Sequence, residues 1–177
     1  AMKIESKDIL HKSDAGGVAL NIKTPQEVQK AYDTILSNAK AYNAEAKING
    51  ILMQKMLKKG IEVIIGISND KQFGPMVLVG LGGVFVEVFK DAALYPAPLN
   101  HKEALDMIKG LKAFKLLNGY RGDKVYDVEA LANFVVKISQ FAAENKDTVA
   151  ELDINPLFVY EKGEGVAIAD ALIILNQ

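Results

Sequence analysis

Three oxygen-bearing side chains cluster in the segment ELDINPLFVYEKGEGVAIAD, which covers residues 151–170. The apolar runs on either side of its glycines predict two strands joined by a tight turn. If the turn is centred after Lys162, Asn155 lies directly opposite Asp170. Asp153 lies two residues before Asn155 and therefore shares its face. Carboxylate and amide oxygens are ligands that Mg²⁺ prefers, so the pattern predicts a magnesium site, although a solvated polar rim fits the spacing equally well.

Pro156 lies inside the first of these predicted strands. Proline cannot donate to a strand ladder, so its presence predicts an edge strand or a β-bulge. A one-residue slip would turn one member of the proposed pair to the other face of the sheet. The metal hypothesis therefore depends on the register of this hairpin.

A second group of candidate residues lies near the beginning of the chain. The loop SDAGG at 13–17 either lets backbone N–H groups approach phosphate oxygens, with Lys3 and His11 nearby, or simply connects two strands. His11 could accept a phosphoryl group or act as an acid or base, although a plain loop histidine is the more common case. Glu62 opens an apolar strand and is either a functional carboxylate or an exposed strand end. The chain has no G-x-x-x-x-G-K-[ST] sequence, so a nucleotide site here would not be a Walker A loop.

The composition excludes several classes of partner. Half of the 177 residues are apolar and 24% are charged, which is typical of a folded domain. The net charge of −1 does not indicate the excess of basic residues that is typical of nucleic-acid-binding domains. No apolar run approaches the length of a membrane span. The absence of cysteine excludes disulfides and thiolate metal sites. We therefore expect no nucleic-acid or membrane partner, and a cytoplasmic location.

The elements that would position these groups alternate between strands and helices. Residues 24–27 have the sequence of a capping box, which predicts a helix after Thr24, and further helices are predicted after Asn100 and Asp127. The strand-like runs occur in hairpin-like groups, so we predict an α+β fold with largely antiparallel sheets and flanking helices. The predicted strands before the terminal hairpin cover residues 2–5, 18–22, 50–57 and 62–68. Residues 76–89 are predicted to form one or two buried strands interrupted by glycines, and residues 91–99 are expected to be extended.

Three stretches together resemble one protein family. They are DILHKSDAGGV at 8–18, GILMQKMLKKGIEVIIGISNDKQFGPMVLVGLGGVFVEVFKD at 50–91, and AELDINPLFV at 150–159. In order and spacing they resemble the ATP-grasp module of NDP-forming acyl-CoA synthetases, from Lys3 to Leu175. The resemblance implies an N-terminally truncated ATP-grasp fold, with a smaller lobe at about residues 1–52 and a larger lobe at about residues 53–177. A complete module of that family has a further segment before Lys3, so the isolated fragment is expected to be inactive.

The resemblance also implies a reaction. Members of this family are acid–thiol ligases that convert acyl-CoA, ADP and phosphate reversibly into a carboxylate, CoA and ATP through a phosphohistidine. The ATP-grasp module would bind ATP or ADP together with Mg²⁺. The CoA site and the relaying histidine would belong to another domain or subunit, which would also bring the small carboxylate.

By the same resemblance each candidate residue receives a role. Asn155 and Asp170 would bind Mg²⁺, and Asp153 would orient or activate the phosphate-accepting imidazole. His11 would correspond to a second, transiently phosphorylated histidine. The remaining residues would bind the nucleotide: Lys3 at the phosphates, Gly16 and Gly17 in a flexible phosphate-covering loop, Gln54 to Leu57 as a hinge around adenine and ribose, and Glu62 completing that hinge.

Two other functions remain open. The chain could be a non-catalytic or regulatory ATP-grasp remnant of an acyl-CoA synthetase-like protein acetyltransferase, but a degenerate site has no need of three converging oxygen donors. It could also be a subunit of the succinyl-CoA ligase type. The sequences HKSDAGG and FGPMVLVGLGG favour the acetate type over that alternative.

Overall fold

The computed structural model describes residues 1–83, 88–122 and 124–176 and divides into two compact units. Unit 1 spans Ala1–Lys58 and unit 2 spans Lys59–Gln177. The division follows Lys58, whereas the sequence analysis placed the boundary of the lobes near residue 52. Within the described ranges, no helix has the length and apolar content needed to cross a bilayer.

Unit 1 is a small antiparallel sheet packed against one long helix. Its elements are β1 (Met2–Ser6), β2 (Val18–Ala19), α1 (Pro25–Tyr42) and β3 (Ile48–Met53). The strand order is β2-β1-β3, so β1 is central. Ile4 on β1 and Ile35 on α1 belong to one buried cluster, which places α1 on the Ile4 face of the sheet.

The beginning of α1 confirms the predicted capping box. The Thr24 hydroxyl oxygen accepts a hydrogen bond from the Glu27 N–H at 3.2 Å, and the Glu27 carboxylate accepts one from the Thr24 N–H at 3.3 Å. Pro25 occupies the first helical position. A backbone N–H at that position has no acceptor within the helix, so the lack of an N–H in proline costs no hydrogen bond. The strand before the helix is shorter than the predicted 18–22, because β2 ends at Ala19.

Unit 2 is a six-stranded sheet with helices on one face. The strand order is β6-β5-β4-β7-β8, with β9 also paired to β7, and every pair is antiparallel. The predicted α+β class with antiparallel sheets is therefore confirmed. The elements are β4 (Ile61–Asp70), β5 (Gly74–Leu81), β6 (Ala92–Pro96), α2 (His101–Lys109), α3 (Phe114–Leu117), a 3-10 turn (Tyr120–Gly122), α4 (Val128–Glu144), β7 (Val149–Val159), β8 (Val166–Ile168) and β9 (Ala171–Leu175).

One face of this sheet forms the core with α2 and α4. Val63 and Ile65 of β4 are fully buried in a cluster with Met107 of α2 and Leu131 of α4. Side chains alternate across a strand, so the residues between them on β4 point to the opposite face. We call that opposite face the outer face of unit 2; on β4 it carries Glu62, Ile64, Gly66 and Ser68.

Besides 18–22, the predicted strand 50–57 differs from the structure, because β3 covers Ile48–Met53, and two predictions for unit 2 differ as well. In the range 76–89, predicted to hold one or two strands, β5 ends at Leu81. Residues 84–87 lie outside the described residues, and Val88 and Phe89 are in a turn, 66% and 62% exposed. Residues 91–99 contain the strand β6, which the sequence analysis expected only as an extended run. Pro96 and Pro98 obscured it, because proline in a run argues against a strand unless the strand lies at a sheet edge, as β6 does.

Candidate functional site

The terminal hairpin has the predicted register. Its turn is centred after Lys162, because the Glu164 N–H donates to the Glu161 carbonyl at 2.9 Å. The Asn155 N–H donates to the Asp170 carbonyl at 3.1 Å, which places the two residues directly opposite each other. The hairpin thus joins an amide and a carboxylate that are 15 residues apart in the sequence.

Pro156 produces the predicted β-bulge, on the side of β7 that pairs with β4. The register shifts there, so that Asn155 and Pro156 together lie opposite the single residue Ile64. The bulge also reverses the alternation of side chains along β7. Ile154 is buried before it and Leu157 is buried after it. Ile154 and Leu157 are three residues apart, so in a regular strand they would point to opposite faces. The bulge lets both side chains enter the core while Asn155 stays outside.

The edge strand paired with β7 is interrupted at the same position as the bulge. Ala169 and Asp170 separate β8 from β9, and the Ala169 N–H donates to the Pro156 carbonyl at 2.9 Å. The hairpin register therefore passes through the irregularity without a slip, which was the risk that Pro156 raised. Asn155 is exposed and Asp170 is half-buried, and as cross-strand partners they share the outer face.

The donor set at this position suits Mg²⁺. Asp153 is exposed on the same face as Asn155, two residues earlier in β7. In the part of the chain that the structure describes, no group of three or more histidine, aspartate or glutamate side chains could hold a metal ion. An ion here would therefore be held by one or two protein oxygens together with phosphate oxygens, which is the usual arrangement for Mg²⁺.

Asp127 anchors the turn of this hairpin to the beginning of α4. Its carboxylate accepts hydrogen bonds from the Ala130 N–H at 3.0 Å, as a helix cap, and from the Gly163 and Gly165 N–H groups at 2.9 and 3.0 Å. Burial acts to raise the pKa of Asp127, but the three N–H donors outweigh it and hold the pKa below its ordinary value. The Asp127 carboxylate is therefore ionised at neutral pH in the folded protein.

Glu62 lies on the outer face, on the strand adjacent to Asp153. It pairs with Phe158 of β7, and Gly66 of the same strand pairs with Asp153. Ile64 lies between them and is half-buried. The sequence analysis did not note that an apolar side chain separates Glu62 from the position opposite Asp153, although the alternation along β4 indicates it.

Lys3 occupies the corresponding face in unit 1. It is the central residue of a three-strand row, paired with Val18 on β2 and Leu52 on β3, and is 8% exposed. Ile4, next to it, points into the cluster with α1, so Lys3 points to the face opposite the helix. In each unit a predicted phosphate- or metal-binding side chain thus lies on the sheet face away from the helical core.

The glycine loop of unit 1 is closed by its own backbone. The Gly16 N–H donates to the Ser13 carbonyl at 3.0 Å and the Gly17 N–H donates to the Lys12 carbonyl at 2.8 Å. Neither N–H points to a phosphate in this conformation, so their predicted phosphate role needs the loop to change shape. His11 is exposed in the same loop.

Gly17 is required by close packing. A Cβ atom there would lie 2.6 Å from Ile4 Cγ2 and 3.0 Å from the Lys12 carbonyl oxygen. We expect Gly17→Ala to lower the free energy of unfolding by about 1–3 kcal/mol, as overpacking of a well-packed core does. Urea denaturation checks this, with the exposed Ser13→Ala as the control in the same loop; equal stability of the two variants would contradict it.

The predicted hinge follows β3 and contributes to a pocket of unit 1. Gln54 lies after the strand, its N–H donates to the Ala1 carbonyl at 2.9 Å, and its carbonyl accepts from the Ala1 amino group at 2.8 Å. Leu57 is half-buried. The pocket has a volume of about 580 Å³ and includes Met2, which points to the helix side of the sheet, away from Lys3. It is lined by Ala1, Met2, Ile22, Lys23, Thr24, Pro25, Val28, Met53, Gln54, Lys55 and Met56.

Comparison with known proteins identifies the fold and the family. Residues 1–175 match the sequence family described as ATP-grasp domain. The chain is 47% identical over 176 residues to the beta subunit of an ADP-forming acetate–CoA ligase (II) of Pyrococcus furiosus, covering 99% of this chain and 75% of the subunit. The chain therefore spans about three quarters of the length of that relative.

Two solved structures of one synthetase agree with this assignment. The acetyl-coenzyme A synthetase 1 of Ca. Korarchaeum cryptofilum, in complex with coenzyme A and Ca-AMPCP, superposes with a TM-score of 0.93 at 44% identity, over 99% of this chain and 75% of that chain. A second structure of it, with Mg-AMPPCP, has its phosphohistidine segment pointing towards the nucleotide-binding site; its TM-score is 0.81 at 41% identity, over 99% of this chain and 76% of that chain. This chain belongs to the ATP-grasp domains of the ADP-forming acyl-CoA synthetase family.

Proposed function

We propose that this chain is the nucleotide- and Mg²⁺-binding part of an ADP-forming acyl-CoA synthetase. The observation that carries the proposal is the placement of Asn155 opposite Asp170 on the outer face, with Asp153 beside them. The oxygens of Asn155 and Asp170 suit a divalent ion that also contacts phosphate oxygens, and Asp153 lies close enough in the strand to act beside that ion. The names of the related ligases supply the reaction, in which acyl-CoA, ADP and phosphate are interconverted with a carboxylate, CoA and ATP.

Each remaining residue has a role in this proposal. Asn155 and Asp170 would hold Mg²⁺, which neutralises phosphate charge when it is bound. Lys3 would contact the phosphates, with Gly16 and Gly17 covering them after a change of loop shape. Adenine and ribose would be held by the hinge from Gln54 to Leu57, together with Glu62.

Asp153 would orient the histidine that receives the phosphoryl group. Its carboxylate can accept the N–H of an incoming imidazole, which aims the other ring nitrogen at the γ-phosphate. That nitrogen's lone pair forms the N–P bond as the bond between the γ-phosphorus and the bridging oxygen breaks, leaving ADP. The exposed His11 would act as a second, transient acceptor.

The histidine and the CoA site would belong to a partner domain or subunit. A small carboxylate would react there, so this chain would need only to present the nucleotide to that partner. ATP, ADP and CoA are intracellular metabolites, and we propose a cytoplasmic location on that ground.

Titration calorimetry tests the nucleotide assignment. The complete protein that contains this chain should bind ADP in the presence of Mg²⁺ and bind it at least about tenfold more weakly after chelation, because an ion held by Asn155 and Asp170 would neutralise phosphate charge. AMP, which lacks the second phosphate, is the matched control and should show little dependence on Mg²⁺. Absence of ADP binding under both conditions would contradict the proposal.

A further inference from the structure

Gly82 lies directly beyond the end of the ladder between β4 and β5. The last pair of that ladder is Val63 with Leu81, so the next position places Glu62 opposite Gly82. The Gly82 N–H donates to the Glu62 carbonyl at 2.7 Å. Glu62 is thus bracketed on the outer face by Phe158 of β7 on one side and by Gly82 on the other.

The approach of Gly82 to Glu62 is closer than a sheet normally allows. A Cβ atom on Gly82 would lie 2.9 Å from the Glu62 Cβ and 3.2 Å from its carbonyl oxygen. Directly opposite residues in an antiparallel pair usually have Cβ atoms about 4.5–5.5 Å apart. Even the smallest side chain at Gly82 would therefore have to displace Glu62 or open the end of the ladder.

The neighbouring glycine is required for a different reason. Gly83 has a φ of +61°, a left-handed conformation that favours glycine, and a Cβ there would meet nothing within 4 Å. Gly82 does not have a φ in that range, so its backbone conformation is open to any residue. The constraint at Gly82 is the contact with Glu62.

From this contact we infer that Gly82 is a positioning residue for nucleotide binding, acting through Glu62. Because Gly82 has no side chain, its backbone can lie directly against Glu62. This contact fixes the direction in which the Glu62 side chain points from the outer face. The inference rests on the proposed role of Glu62 as a nucleotide contact. It adds a residue that touches neither the nucleotide nor the metal.

A double-mutant cycle in the assembled synthetase tests this inference, with the KM for ADP and kcat as readouts. We expect Glu62→Ala to raise the KM for ADP about tenfold, as expected for the loss of a charge-assisted hydrogen bond, with kcat changed much less. Gly82→Ala should raise the KM by a similar factor. The double variant should be no worse than Glu62→Ala alone. Gly83→Ala, in the same turn, strains a left-handed backbone position without adding a contact to Glu62, so whatever effect it has on the KM should multiply with that of Glu62→Ala.

The outcomes separate the inference from the proposed function. An unchanged KM in Glu62→Ala would refute the role of Glu62, and the inference with it. A raised KM in Glu62→Ala together with an unchanged KM in Gly82→Ala, or with effects that multiply in the double variant, would overturn the inference alone. If Gly82→Ala is unstable, its loss of thermal stability must be smaller in a Glu62→Gly background, where the opposing Cβ is gone; an equal loss in both backgrounds would also overturn it.

Discussion

Replacing Asp170 with asparagine is expected to reduce Mg·ATP-dependent phosphorylation of the complete synthetase by about 100-fold or more. The change keeps the size of the side chain but removes the negative charge that the proposed Mg²⁺ site requires, and metal stabilisation of phosphoryl transfer is worth several kcal/mol. The half-buried position of Asp170 at the break between β8 and β9 should tolerate an amide. Incorporation of the γ-phosphate of labelled ATP into the histidine measures the effect.

Glu151→Gln is the matched control for this experiment. Glu151 is exposed on β7, on the same face as Asp153, and pairs with Ile174 of β9. It therefore lies on the same strand as Asp153 and Asn155, and farther along that strand from the proposed ion than either of them. We expect its neutralisation to change the rate by less than about twofold, because an exposed surface charge contributes little. A folded Asp170→Asn variant with the activity of the unaltered enzyme would refute the metal assignment.

Replacing Asp127 with alanine is expected to lower the free energy of unfolding by about 2–3 kcal/mol. The helix cap alone accounts for about 1 kcal/mol, and the turn N–H groups of Gly163 and Gly165 lose their acceptor in addition. Asp127→Asn keeps an acceptor for the cap but presents an NH₂ group to the turn, so its loss should be intermediate. Urea denaturation measures both variants, and Asp106→Ala, at an exposed position on α2, should change stability by less than about 0.5 kcal/mol.

The same carboxylate gives a pH dependence with a defined sign. The pKa of Asp127 is lower in the folded protein than its ordinary value, so its contribution to stability is fully present above the ordinary aspartate pKa. It is lost as the pH falls through the lowered folded-state pKa. Asp127→Asn should therefore differ from the unaltered protein in stability near neutral pH and converge towards it in acid; a difference that is constant with pH would contradict this explanation.

The hairpin that carries the candidate metal ligands could be predicted from the sequence because its turn chemistry is local. Gly163 and Gly165 both have positive φ angles, which few residues other than glycine adopt readily, so the turn has one position along the chain. Once the turn is fixed, each cross-strand pair follows by counting, including the pairing of Asn155 with Asp170. Pro156 likewise indicated the bulge, since proline cannot donate to the ladder.

The remaining features depend on contacts that the sequence does not display. The closed conformation around Gly17 results from its packing against Ile4, 13 residues earlier, and the sequence alone indicated only a glycine-containing loop. The role of Gly82 depends on the register between β4 and β5, which a single strand pattern cannot provide. The strand β6 was missed because its prolines match a loop as well as an edge strand.

Crystallography with Mn²⁺ tests the central claim most directly. Crystals of the complete synthetase with Mn²⁺ and a non-hydrolysable ATP analogue should show an anomalous difference peak about 2.0–2.6 Å from the Asp170 carboxylate and from the Asn155 side-chain oxygen, with phosphate oxygens completing the coordination. Asp153 should lie near the γ-phosphate without coordinating the ion. A manganese peak bound to the nucleotide but remote from Asn155 and Asp170 would contradict the account.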